Sequence, residues 1–340
     1  MAFHDITGND RVKTILQKSL QKNRMPNSIL LFGPEGVGKK ETALVLSKAL
    51  NCLELKDDAC EKCRNCSAIN SGNFPDVFPD IRVVWDKPPK KEKKTDAISI
   101  DNIKGLKQLA YLKPMVGKKR VFIIDQAEKM TPDASNALLK VLEEPPPGSH
   151  IILTSNNLNL ILPTVLSRCQ VLTFAPISQE DIQKLLVEKG FDSDKARIMS
   201  SVVRGNLRQA LTLEWDEVQA KREKTWVLFH SLITKKGAES LLEDFASARK
   251  GVRDELEEIL KILSSFFRDI ILLKSGGEAR LLMNPDYGDR LLKSGEILTR
   301  EQALKMLGSL ESSLYTLRKM GNVQLLVSML ISNFMERENV

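Results

Sequence analysis

The stretch Gly33-Pro34-Glu35-Gly36-Val37-Gly38-Lys39-Lys40 constrains this chain more than any other. It follows the short apolar run Ile29-Leu30-Leu31-Phe32 and precedes residues 41–50, whose apolar side chains recur at helical spacing. Strand, glycine-rich turn and helix together are the setting of a phosphate loop, G-x-x-x-x-G-K-[ST]. In such a loop the glycines let backbone N–H groups turn inward on phosphate. The lysine holds the β- and γ-phosphates, and the final hydroxyl ligates Mg²⁺. Here Gly33, Gly36, Gly38 and Lys39 are in place, but Lys40 stands where the hydroxyl belongs. An ammonium is a cation and ligates no metal. The shape of a nucleotide site is therefore expected, with part of its chemistry missing.

Further apolar runs repeat the strand pattern. Residues 120–124 end in Asp125, residues 150–155 end in Asn156, and residues 170–174 form a last strand. Helical periodicity fills the intervals at 9–24, 101–112 and 134–142, the last stopped by Pro145-Pro146-Pro147. Strands that alternate with helices predict an α/β fold with a parallel sheet covered on both faces. Ligands of such sheets bind beyond the carboxyl ends of the strands. The loop, Asp125 and Asn156 all fall there and are expected to meet. Ile123-Ile124-Asp125 reads as a Walker B strand whose Asp faces the metal position. The next residue, where a carboxylate would polarise the attacking water, is Gln126, a poor base. Glu128 is expected on a different side of the turn.

Cys52, Cys60, Cys63 and Cys66 give C-x7-C-x2-C-x2-C, an insertion at 52–66 that interrupts the α/β pattern. Four thiolates at short range suit tetrahedral Zn²⁺ and leave no open position, so a structural site is expected. Cys169 stands apart. Residues 87–95 form a charged Pro/Lys stretch that reads as a solvated turn. Beyond Pro176 strand signals vanish. Residues 178–213 suit three short helices broken at Gly190 and at 204–206, and long helical patterns occupy 252–273 and 301–319. The expected domains are a P-loop core at 1–175, a helical lid at 176–213 and an all-α domain at 214–340. The net charge of +7 permits a polyanionic partner without requiring one. No run is long and apolar enough to suggest a membrane span, and the N-terminus lacks signal-peptide character, so the cytoplasm is the expected compartment.

The order of these motifs is specific. A P-loop, four cysteines, D-x-A-E-x-M at 125–130, N-A-L-L-K-x-L-E-E-P at 136–145 and Ser167-Arg168-Cys169 together resemble the bacterial clamp loaders of the AAA+ class. The resemblance is strong from residue 3 to about 212 and weaker beyond. It implies an AAA+ core, a small helical lid and a helical collar that joins a ring of subunits. Such a ring, part of the DNA polymerase III replication machinery, loads a sliding clamp onto primed DNA. It also implies roles for particular residues. Asn156 is similar to a sensor of the γ-phosphate, Arg208 to a second sensor, and Arg168 to an arginine that reaches into a neighbour's ATP site. Within this family the departures at Lys40 and Gln126 suit a subunit that does not hydrolyse ATP and partners gamma/tau and delta subunits. The alternative is a working gamma/tau-like ATPase, which would have to hold Mg²⁺ without the loop hydroxyl.

Overall fold

The computed structural model describes residues 1–84, 97–203, 205–236, 251–278, 281–318 and 322–335. The Pro/Lys stretch at 87–95 lies outside the described residues. The chain divides into two compact units, residues 1–182 with 204–209, and residues 183–203 with 210–340.

The first unit is built on five parallel strands: β1 (Ser28–Phe32), β2 (Val77–Phe78), β3 (Arg120–Ile124), β4 (Ser149–Ser155) and β5 (Gln170–Thr173). They lie in the order β2-β3-β4-β1-β5. β3 and β4 are buried along their whole length, which is why their centres, residues 121–124 and 151–153, read as apolar runs. Every connection in a parallel sheet must cross over. α1 (Asp10–Gln21) precedes the sheet, and the helices that make these crossings include α2 (Lys39–Asn51), α3 (Arg64–Asn70), α4 (Ile81–Val84), α5 (Ile100–Ala110), α6 (Pro132–Glu143) and α7 (Pro163–Leu166). β1 pairs with β4 over Ser28↔Ile151 to Phe32↔Ser155. That register sets the phosphate loop beside Asn156 at one end of the sheet.

Local chemistry fixes the ends of these elements. The Thr131 hydroxyl accepts the Ala134 N–H and caps α6, whose first residue is Pro132. Lys48, 1% exposed, reaches from α2 to Glu61 and to Asn70 Oδ1 (2.9 Å), fastening the cysteine segment to the core. Asp76, fully buried, accepts the N–H groups of Met115, Val116 and Gly117 at 2.7–2.8 Å. It also pairs with Arg120 at 2.7 Å, and so shapes the turn that feeds β3.

The described part of the second unit is helical: the latter part of α8 (Gln179–Glu188), then α9 (Ser193–Val202), part of α10 (Leu207–Thr212), α11 (Trp215–Thr234), α12 (Val252–Lys274), α13 (Gly288–Gly295), α14 (Arg300–Arg318) and α15 (Val323–Met335). Phe229, Leu256, Phe266, Phe267 and Leu310 lie in one apolar core. Within it the buried Arg222 is forked onto Asp286 at 2.7 and 2.8 Å and donates to Asn284 at 3.0 Å.

Candidate functional site

The phosphate loop joins β1 to α2 and bends through left-handed residues at Gly36 (φ +72°) and Gly38 (φ +88°). Gly36 has a second reason to be glycine. A Cβ there would lie 1.7 Å from Asn206 Oδ1, so the amide side chain of Asn206 rests directly on the loop. Lys39 is 7% exposed and folds back on its own loop. Its ammonium donates to the carbonyls of Gly33 (2.7 Å) and Pro34 and to Asn156 Oδ1 (2.6 Å). Burial lowers its pKa to about 8, against the pull of Glu128 and other nearby carboxylates.

Lys40 points to the ends of β2 and β3. Its Nζ lies 3.1 Å from Asp125 Oδ2 and 4.0 Å from Asp80 Oδ2. Arg82 closes the group, 2.9 Å from Asp80 and 3.9 Å from Asp125. Burial opposes the charge on Asp125, yet the Thr154 hydroxyl (2.6 Å), Lys40 and Arg82 hold its carboxyl below the usual range. Gln126 takes a left-handed conformation (φ +56°) and donates its N–H to Thr154 Oγ1 at 3.0 Å. That turn sends the short helical segment Ala127–Lys129 back toward the site. Glu128 therefore does not face away, as the spacing suggested: its Oε1 accepts the Asn156 N–H at 3.3 Å.

The loop, Asp125 and Asn156 thus meet as the sequence predicts. Arg208, at the start of α10, lies 3.4 Å from Glu41 on α2, so it too sits at the rim of this site. Arg168 does not join them. It follows α7 and precedes β5, where Nη2 pairs with Glu143 Oε1 at 2.6 Å and Nη1 donates to the Thr164 carbonyl at 2.9 Å. Asp80, Arg82 and Thr154 carried no motif, and Asn206 and Glu143 stood within or beside motifs without a role of their own. Their roles come from register and crossover, which bring distant segments to one edge of the sheet.

The four cysteine sulfurs lie within 4.8 Å of one another. Tetrahedral Zn–S bonds of about 2.3 Å place sulfurs roughly 3.8 Å apart, so this donor set fits the ion. Backbone N–H groups already point at the sulfurs: Leu55 to Cys52 (3.3 Å), Cys63 to Cys60 (3.2 Å) and Cys66 to Cys63 (3.5 Å). Burial opposes ionisation here. Even so, N–H groups of Leu53 and Cys66 and the Cys60 thiol bring Cys63 down to about 6. Burial pushes the Cys66 thiol up.

The family model described as DNA polymerase III, delta subunit, matches residues 8–178. The delta-prime subunit of DNA polymerase III from Bacillus subtilis is 32% identical over 276 residues, a match covering 80% of each chain. The chain belongs to the DNA polymerase III clamp-loader family. A gamma/tau subunit from Mycoplasma pneumoniae is also 32% identical, over 220 residues that make up 62% of this chain and 30% of that one. A solved gamma subunit-related protein from Thermotoga maritima aligns over 96% of this chain and 99% of its own at 19% identity, with a TM-score of 0.45.

For a clamp-loader subunit with an AAA+ core, the family implies ATP with Mg²⁺ at the phosphate loop. The donor set here does not fit that metal. The hydroxyl ligand is absent, and the Lys40 ammonium lies against Asp125, the carboxylate that would face the ion. Among the described residues no helix is long and apolar enough to cross a membrane.

Proposed function

We propose that this chain is a delta-prime-type clamp-loader subunit. It takes a place in the ring without turning ATP over, and it offers Arg168 to the nucleotide of a neighbouring gamma/tau-type subunit. The observation that carries this reading is the Lys40–Asp125 contact of 3.1 Å, a cation where a hydrolysing loop needs a metal ligand. Gln126 supports it, because a neutral amide beside Asp125 is a poor base. Arg168 supplies the complementary half. A guanidinium is always charged and can fork across phosphate oxygens. Exchanging Glu143 for a neighbour's γ-phosphate would place that charge where phosphoryl transfer needs it.

The partners of this reading are gamma/tau and delta subunits, with the sliding clamp and primed DNA engaged through the complex. Residues 1–175 form the core, 176–213 the lid and 214–340 the collar that joins the ring. Cys52, Cys60, Cys63 and Cys66 would hold a structural Zn²⁺, and a filled set of four sulfurs leaves no site for water. The similarity to gamma/tau subunits favours a second reading, a working ATPase. Steady-state ATP hydrolysis by the isolated full-length chain separates the two. Negligible turnover is expected, and robust turnover would establish the second reading in place of the first.

A further inference from the structure

Both lysines of the phosphate loop are spent on the protein itself. An ammonium has three donors, and the three acceptors of Lys39 are Gly33, Pro34 and Asn156. Lys40 and Arg82 bring two positive charges to Asp80 and Asp125, which bring two negative ones. The group is balanced without any ion, and an incoming divalent cation would meet two fixed positive charges at close range. Its members also come from three places. Lys40 lies in the first turn of α2 after β1, Asp80 and Arg82 follow β2, and Asp125 follows β3.

We infer that the Lys40 ammonium is a built-in counter-cation in the position of the divalent metal, tying the carboxyl ends of β1, β2 and β3 into one nucleotide-independent joint. In a loop that turns over, the positive charge facing such carboxylates is supplied by the bound metal. Here the cation is carried by the chain itself, on a side chain 39% exposed, and needs no bound ligand. Asp80 and Asp125 are 19% and 15% exposed, so solvent replaces a lost partner poorly. The joint therefore contributes to folding of the core whether or not the chain enters a clamp loader, and it is tested without assembling one.

The test is a melting-temperature cycle on the full chain: wild type, Lys40→Met, Asp125→Asn, the double variant and Lys40→Arg. Lys40→Met is expected to lower the melting temperature by roughly 3–6 °C. The double variant should lose clearly less than the sum of the two singles, because removing both charges leaves neither unpaired. Lys40→Arg should retain most of the wild-type value. Millimolar Mg²⁺ with ATP should leave the wild type no more stable than ATP in EDTA. A Lys40→Met variant that melts with the wild type, strict additivity in the cycle, or a Mg²⁺-dependent rise in the wild type would each overturn the inference.

Discussion

Asp76→Ala is expected to be among the most damaging single changes in the first unit. The carboxylate is fully buried, as is Arg120 beside it. It accepts three successive backbone N–H groups, from Met115, Val116 and Gly117, and two guanidinium contacts at 2.7 and 3.1 Å. Removing it leaves the Arg120 charge against the carbonyls of Leu109, Leu112 and Lys113 alone. Breaking one side of a buried ion pair costs about 3–5 kcal/mol. At roughly 2–4 °C per kcal/mol for a unit of this size, the melting temperature should fall by roughly 6–20 °C. Hydrogen exchange should show the amides of residues 115–117 losing protection, since their acceptor is gone. Replacing Arg120 with Met as well should recover part of the loss. The pH dependence has a definite sign. Burial opposes the charge, but the three N–H groups and Arg120 hold the folded pKa of Asp76 below its ordinary value. Its contribution is complete above the unfolded pKa of about 3.9 and is lost as pH falls through the folded one. The gap between wild type and variant should therefore close in acid. A drop of less than about 2 °C near neutral pH, or unchanged exchange at 115–117, would refute the reasoning.

Three further outcomes are expected. Elemental analysis of protein purified without chelator should find about one Zn per chain, and Cys60→Ser should raise hydrogen exchange across residues 52–70; absence of metal would contradict the site. Truncation after residue 212 should leave a chain that fails to enter the complex, and normal assembly would exclude the collar assignment. Arg222→Met should destabilise the second unit, because its guanidinium is buried between Asp286 and Asn284. The expected loss is about 3–5 kcal/mol in denaturant, with an unchanged midpoint arguing against it.

The strands that build the sheet were legible because a parallel sheet buries both faces, so residues 29–32, 121–124 and 151–153 are apolar without a break. β2 was not. It is two residues long, Val77–Phe78, set between Asp76 and Pro79, and too short to show any period. The site was half legible. Loop, Asp125, Asn156 and the cysteines announce themselves by spacing, whereas Lys40 could be read only as a missing ligand. Its partners Asp80 and Asp125 arrive through crossovers of 40 residues or more. Glu128 was misplaced because periodicity assumes ordinary turns, and the left-handed Gln126 redirects the chain. Arg168 stands just ahead of the strand that the apolar run at 170–174 announces. Its partner Glu143 closes a different helix, and nothing in the local sequence couples the two.

DNA-stimulated ATP hydrolysis by a complete clamp loader carrying either Arg168→Ala or Lys39→Ala in this subunit bears most directly on the division between a silent loop and an arginine acting on a neighbour. Arg168→Ala should leave assembly intact and depress hydrolysis at the site it serves by roughly 10³-fold or more. Lys39→Ala, in a loop closed on its own carbonyls, should leave hydrolysis by the assembled complex near wild type. Hydrolysis that survives Arg168→Ala but is lost with Lys39→Ala would contradict that division of roles.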